Sequence, residues 1–505
     1  MIHGVEDLRR GFDVDADAVV VGSGPGGAVA AANLAEAGLR TVLVEAGPRV
    51  RPEDMTRDAP LFMARHYWDG GLRLVGGSSP GPAMQGRCLG GSSVVNSAIM
   101  LRLPDWVRDA WCAGDGLDPL LRDPAFDRAF DRVFQRCRVA PTPMAVMGRR
   151  NLLIRDALTH QGLPSGPLPR AVHACEGCAD CITGCHAGRK QSVDRAYVTP
   201  LAEDGPLDVY TCSPVRRVLT RGDRAVGVAG RVVDPVTHRA LGRFRVRAKT
   251  VVMAAGVAHT PLILRASGIR GSHGLIGATL SAHVTAGAFA IMDEVVDPWV
   301  GATQGWGAIS PDIRGLKYES LWAAPSLIAV NWGDVGEPWL RDLGEMKHAT
   351  VVALVYRGNV TGRVRRSPAG GPRLTLRIPD HDVHTLMRGL KVAVDGLLGV
   401  GARYVTPSVQ GVSQQIRSER ESGTLVSGRV KPRQVKMTFN HMFGSCRVSA
   451  DPRRGPIDLD GAVRGVRGLY VSDASLFPSG SAVNPQATVM ALADVISRRL
   501  ADLGG

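Results

Sequence analysis

The chain has 505 residues and a mass of 53.6 kDa, with 44% hydrophobic, 21% charged and 5% aromatic residues. That balance excludes wholesale disorder, and the 61 glycines follow no three-residue period, which excludes collagen. The net charge is +14, but the basic residues are spread along the chain without a block, so no nucleic-acid partner is expected.

No breaker-free run of 18 apolar residues is present, so no transmembrane segment is expected. Residues 1–15 carry Arg9-Arg10 without an apolar stretch behind them, which argues against a secretory signal and for a cytoplasmic location. Nine cysteines, an odd number, point to thiols or metal ligands rather than a disulfide framework.

The first predicted element is a short buried strand over 17–21 (DAVVV), followed at once by Gly22-Ser23-Gly24-Pro25-Gly26-Gly27. An Ala-rich helix is predicted over 28–37 with Gly38 as its stop, then a strand over 41–44 ending at Glu45. Residues 111–204 read as irregular, with helical pieces near 119–137 and 149–161. Strand pieces follow at 208–210 and 215–218. A hairpin is predicted from 224–233 and 243–248, then a separate buried strand over 250–255. Residues 349–356 and 373–378 read as antiparallel strands. Leu386, Leu390, Val394 and Leu397 give 380–399 a helical period. A strand over 468–472 and a last helix over 485–500, with Asn484 as N-cap, complete the chain.

Gly22, Gly24 and Gly27 fit G-x-G-x-x-G between a strand and a helix. The first glycine permits the tight turn, the second lets a pyrophosphate approach the backbone, and the third lets helix and strand pack closely. The helix N-terminus offers free N–H groups and a positive dipole end to phosphates. Glu45, at the end of the second strand, can accept hydrogen bonds from ribose hydroxyls and disfavours the extra phosphate of NADP.

Four further segments stand out. Residues 86–96 read GRCLGGSSVVN and 256–269 read GVAHTPLILRASGI. Residues 441–447 read HMFGSCR, and 468–488 run from GLYVSDASLFP to VNPQAT. With the fingerprint, these resemble the glucose-methanol-choline (GMC) flavoprotein oxidoreductases from about residue 15 to the C-terminus. One departure is Arg270, where the second signature usually has Gly.

The resemblance implies an α/β fold: a discontinuous Rossmann-type FAD-binding domain (13–110, 205–290 and 436–505) and an inserted α+β substrate domain on an antiparallel sheet (111–204 and 291–435). It implies FAD as cofactor and oxidation of an alcohol to an aldehyde or ketone, by hydride transfer to the flavin N5 with a histidine base. His441 matches the family's catalytic histidine, and Asn484 matches the second member of its pair, whose amide can donate to the developing alkoxide. Around the cofactor it implies Gly22, Gly24, Gly27, Glu45, Arg87, Gly90, Gly91, Ser92, Ser93, Asn96, Val215, Asp473, Ala474, Asn484, Gln486 and Thr488. Asp473 matches a ribityl-binding residue and Val215 an adenine-side backbone contact. The helix N-terminus at Gln486–Thr488 would face the negative charge of the reduced flavin.

Cys175-x₂-Cys178-x₂-Cys181-x₃-Cys185 has the spacing of a ferredoxin run. Three of its cysteines could hold a three-iron centre, and a four-iron centre would draw on Cys185, Cys137 or Cys212. Zinc and a loop of free thiols are the other readings. An iron–sulfur centre would favour a dehydrogenase over an oxidase. The electron acceptor could be O₂, a quinone or a redox protein. A flavin lyase without net redox and an electron-transfer protein are the alternative functions. Trp299, Trp306, Trp322, Trp332 and Trp339 hint at an apolar or ring-shaped substrate if they line the cavity.

Overall fold

The computed structural model describes residues 1–504 except Asp334. Its centre is an eight-stranded sheet. The strand Gly11–Val21 lies between Thr41–Val44 and Ala240–Met253, parallel to both. Beyond Thr41–Val44 come Leu207–Tyr210 and the N-terminal pair Ile2–His3, also parallel. Val19, Val20, Val251 and Val252 are fully buried, as expected of strands covered on both faces.

The sequence reading split 243–248 from 250–255, but Ala240–Met253 is one 14-residue strand. Its first part pairs antiparallel with Arg224–Val233, whereas its last residues, 251–253, pair in parallel with Leu469–Val471. It therefore keeps a neighbour on each side along its length, and no turn is needed at Lys249.

The helix after the Gly-rich turn starts earlier than propensity suggested, at Pro25, and runs to Glu36. Proline is tolerated at the first helical position because the N–H it lacks would be unpaired there anyway. The helix packs against the C-terminal helix Gln486–Gly504. Asn33 donates to the Asp494 carboxylate (3.1 Å) and to Ser497 Oγ (2.9 Å), fixing that contact in register.

A six-stranded sheet forms the second layer, in the order 402–406, 284–292, 349–356, 316–320, 306–309, 165–167. All these pairings are antiparallel. The helices Gly148–His160 and Asp380–Gly399 pack against it. Strand Val284–Met292 belongs to this sheet, so the boundary near 290 moves earlier than expected. Helices Asp105–Asp115 and Pro124–Arg136 also change sides: Trp111, Phe126 and Phe130 are buried in the core of the parallel sheet. Strands Arg73–Gly77 and Gly81–Ala83 join Thr361–Arg366 and Pro372–Arg377 in a third sheet. Arg270 does not take a left-handed backbone; the next residue, Gly271, does (φ +66°). Among the described residues no helix is long and apolar enough to cross a membrane.

Candidate active site

The parallel sheet and the six-stranded sheet enclose one cavity of about 1,320 Å³. That exceeds the 300–1,000 Å³ usual for a drug-sized ligand, leaving room for a dinucleotide and a second molecule. The turn after Gly11–Val21 forms one wall. Gly22 takes φ +97°, and a Cβ on it would lie 2.4 Å from the Ala254 carbonyl oxygen. A Cβ on Gly27 would lie 1.9 Å from the Gly22 oxygen, so this glycine sets the helix–strand contact. A Cβ on Gly24 would meet no protein atom within 4 Å. Its open side faces the cavity, as a backbone approached by a pyrophosphate requires.

Glu45 is buried, and burial pushes its carboxyl above the ordinary value. It accepts from Ser23 N (2.9 Å) and Oγ (2.6 Å) and from Gly47 N (2.8 Å). Ser23 Oγ in turn accepts from Gly90 N (2.9 Å), so the first βαβ unit and the second Gly-rich segment are joined through one hydroxyl. Asp473 accepts from Gly256 N (2.9 Å), Thr260 Oγ1 (2.6 Å) and Ser475 N (2.8 Å), joining the C-terminal segment to the helix Gly256–Ala266. Asn96 donates to Gln486 Oε1 (2.5 Å).

Of the residues expected around a cofactor, Gly22, Gly24, Glu45, Arg87, Gly91, Ser92, Asn96, Val215, Asp473, Ala474, Asn484 and Gln486 line the cavity. Gly27, Gly90, Ser93 and Thr488 lie behind its wall. Ser93 Oγ donates to Gly90 O and accepts from Val193 N, so it shapes the loop from behind. The cavity also takes in Trp68, Arg73, Arg216, Arg363 and Arg365, which no motif flagged, and His259 from the 256–269 segment. The positive charge of the four arginines suits a pyrophosphate. The donor set and the open glycine therefore fit FAD.

His441 and Asn484, 43 residues apart in sequence, line the same cavity. His441 follows directly from the segment that pairs with Thr285: Thr285 Oγ1 donates to Thr438 O (2.5 Å). Its Nδ1 lies 3.2 Å from His283 Nδ1, and His283 Nε2 accepts from Ala482 N (3.1 Å). Burial lowers the pKa of His441 to about 4, with Glu319 opposing and Lys317 reinforcing the shift. The ring is neutral at pH 7. Asn484 does not cap the last helix as expected. Its Oδ1 accepts from Lys317 Nζ, and the helix starts at Gln486. Sequence reasoning missed His283, which immediately precedes the strand Val284–Met292, and Lys317 and Glu319, which sit in the strand Leu316–Ser320, because no motif surrounds them.

The five tryptophans do not line the cavity. Trp322, Trp332 and Trp339 pack with Phe289 in a separate apolar cluster, Trp306 borders the six-stranded sheet's core, and Trp299 is exposed. Cys175, Cys178, Cys181 and Cys185 surround one enclosed space, but of only about 20 Å³. That holds about one water molecule, not a multi-iron core. Among the described residues no three His, Cys, Asp or Glu side chains are arranged to hold a metal ion. Cys137 and Cys212 are buried in the parallel sheet's core instead. The run does not fit an iron–sulfur centre or zinc as it stands, and the preference for a dehydrogenase loses its ground. What the run does is anchor a wall. Arg170 donates to Ser97 O (2.9 Å) and Cys181 Sγ (3.2 Å). Lys190 Nζ donates to the carbonyls of Val94 (2.6 Å), Asn96 and Cys181 (2.8 Å each).

The chain matches the GMC oxidoreductase family in two parts, its N-terminal region over residues 18–285 and its C-terminal region over 356–493. The protein belongs to that family and is an FAD-dependent oxidoreductase. It is 32% identical over 482 residues to an uncharacterised GMC-type oxidoreductase of Mycobacterium tuberculosis, covering 95% of this chain and 74% of that one. It is 27% identical over 542 residues to a long-chain-alcohol oxidase of Arabidopsis thaliana, covering 99% and 68%. A solved structure of formate oxidase from Aspergillus oryzae, concerned with FAD modification, superposes with a TM-score of 0.72 at 15% identity, covering 96% and 97%.

Two substitutions separate the glycine roles. Gly24→Ala is expected to leave the melting temperature of the flavin-free protein unchanged. It should weaken FAD binding by about tenfold or more, the effect of a methyl group intruding by 1–3 kcal/mol. Gly27→Ala should lower the melting temperature of the flavin-free protein itself. Flavin titration and thermal melts check both. Lys190→Met should cost about 1–3 kcal/mol for each carbonyl it leaves unpaired, read as a lower denaturation midpoint.

Proposed function

We propose that the protein oxidises an apolar primary or secondary alcohol to the aldehyde or ketone. The observation that carries this reading is the meeting of His441 and Asn484 in one cavity with the open face of Gly24. FAD, when bound, supplies a hydride acceptor. The residues must therefore hold the alcohol oxygen and receive its proton.

His441 suits the second task because burial keeps its imidazole neutral at physiological pH. Asn484 suits the first, since an amide N–H stabilises charge that grows on the oxygen as the proton leaves. The buried setting strengthens both interactions by lowering the local dielectric. Leu321, Ala323, Leu327, Ile328 and Phe289 give the cavity an apolar lobe, which suits a hydrocarbon chain or ring. The Arabidopsis relative named for long-chain alcohols agrees with that class.

Anaerobic mixing with a panel of alcohols is expected to bleach the flavin, fastest with apolar ones; a flavin left oxidised by every alcohol sinks the proposal. His441→Ala should slow that reduction about 10²–10⁴-fold while FAD stays bound. The pH dependence has a definite sign. His441 works unprotonated, so reduction should stay level from neutral pH downward and fall only as pH approaches about 4. An acid limb near the ordinary histidine value would contradict the assignment.

A further inference from the structure

Strand Leu316–Ser320 is the fourth strand of the six-stranded sheet and lies wholly in the interior. Alternate residues of a strand point to one face, so Lys317 and Glu319 share a side. Lys317 is 1% and Glu319 3% exposed, yet both carry charge on opposite sides of one ion pair. A buried ion pair is weak evidence for stability, because apolar residues of similar volume often serve the fold equally well. Its presence asks for a different reason.

The reason lies in what the pair touches. Lys317 Nζ donates to Asn484 Oδ1 and forms an ion pair with Glu319 Oε1. An ammonium has three donors and no acceptor, so it fixes which end of the Asn484 carboxamide faces it. The oxygen points to Lys317, and the NH₂ side of the same amide interacts with the Glu319 carboxylate, which it helps to keep ionised. Glu319 lines the cavity beside Asn484 and His441. Its Oε2 is held by Gln304 Nε2 (2.5 Å). Against the burial that would raise it, Lys317 keeps the Glu319 carboxyl below its ordinary value.

We propose that Lys317 and Glu319 are positioning residues for the oxidation: Lys317 holds the oxygen and Glu319 the NH₂ side of the Asn484 amide, so that the remaining N–H faces the alcohol oxygen, and Glu319 balances the Lys317 charge beside His441. This rests on the alcohol-oxidation reading given above. The groups that face His441 are His283, from the segment leading into Val284–Met292, and Lys317 and Glu319, from Leu316–Ser320, with Arg357 beyond His283. Removing Lys317 alone leaves the Glu319 charge beside His441 uncompensated, which favours the protonated ring. Removing both charges restores the balance but not the orientation of Asn484.

The test compares the wild-type holoenzyme with Lys317→Met and with Lys317→Met/Glu319→Gln, by anaerobic flavin reduction with an alcohol that bleaches the wild type, across pH. Both variants are expected to keep their FAD and to reduce it more slowly, towards the roughly 10²–10³-fold value of one oriented donor. The acid limb of the single variant should lie at higher pH than the wild type's, and that of the double variant should return. The double variant carries the test if the single one, with an unpaired buried carboxylate, does not fold. A double variant that reduces within about threefold of wild type overturns the proposal, as does a folded single variant whose acid limb has not moved. Failure of every alcohol to bleach the wild type would instead remove the reading on which it rests.

Discussion

The structure depends on one buried carboxylate. Glu45 closes the first βαβ unit by accepting the Ser23 amide and hydroxyl, and the same hydroxyl accepts from Gly90. Three segments spread over 68 residues are thereby drawn to one point. None of them could hold a dinucleotide alone: residues 22–27 supply the turn, 86–96 supply a second glycine wall, and Glu45 decides how close the two may come. Charge-assisted hydrogen bonds are shorter and stronger than neutral ones, so this node is a stiff one. Asp473 repeats the device on the far side by tying residues 473–475 to the helix at Gly256.

A second theme is buried positive charge spent on geometry. Lys190 gives all its donors to main-chain carbonyls of the cavity wall and the cysteine loop. Arg150, fully buried, donates to the carbonyls of Pro298, Ala302 and Thr303. Lys317 holds an amide. In each case a cation replaces water around polar groups that loops would otherwise leave unpaired in the interior. The net charge of +14 thus describes internal scaffolding as well as surface.

How much was legible in the sequence follows from what each feature depends on. The turn at Gly22–Gly27 and the strands beside it were readable because their geometry is local: only glycine fits the φ of Gly22 or the space at Gly27. The helix over 380–399 was readable because one face repeats with the helical period. The length of Ala240–Met253 was not, since its continuity comes from neighbours at 11–21 and 469–471 that no local window contains. His441 and Asn484 were found through motifs, but what surrounds them was not. Lys317 and Glu319 look like ordinary alternating residues of a strand, and only the fold turns that face inward. The cysteine spacing misled for the opposite reason. It is a local pattern, while the space the four thiols enclose is closed also by Ala302 and Thr303, more than 100 residues away in sequence. The tryptophans misled likewise: Trp322, Trp332 and Trp339 pack into a core of their own, and Trp299 and Trp306 lie apart from it.

The cavity wall is threaded from segments more than 400 residues apart in sequence: Gly22, Gly24 and Glu45 stand on one side of that gap, and Asp473, Asn484 and Gln486 on the other. On a ribosome emitting residues N-terminal first, the fingerprint is exposed long before its counterpart exists. Flavin capture must therefore wait until residues 473–486 have joined the fold, and until then residues 22–45 form only half of a site.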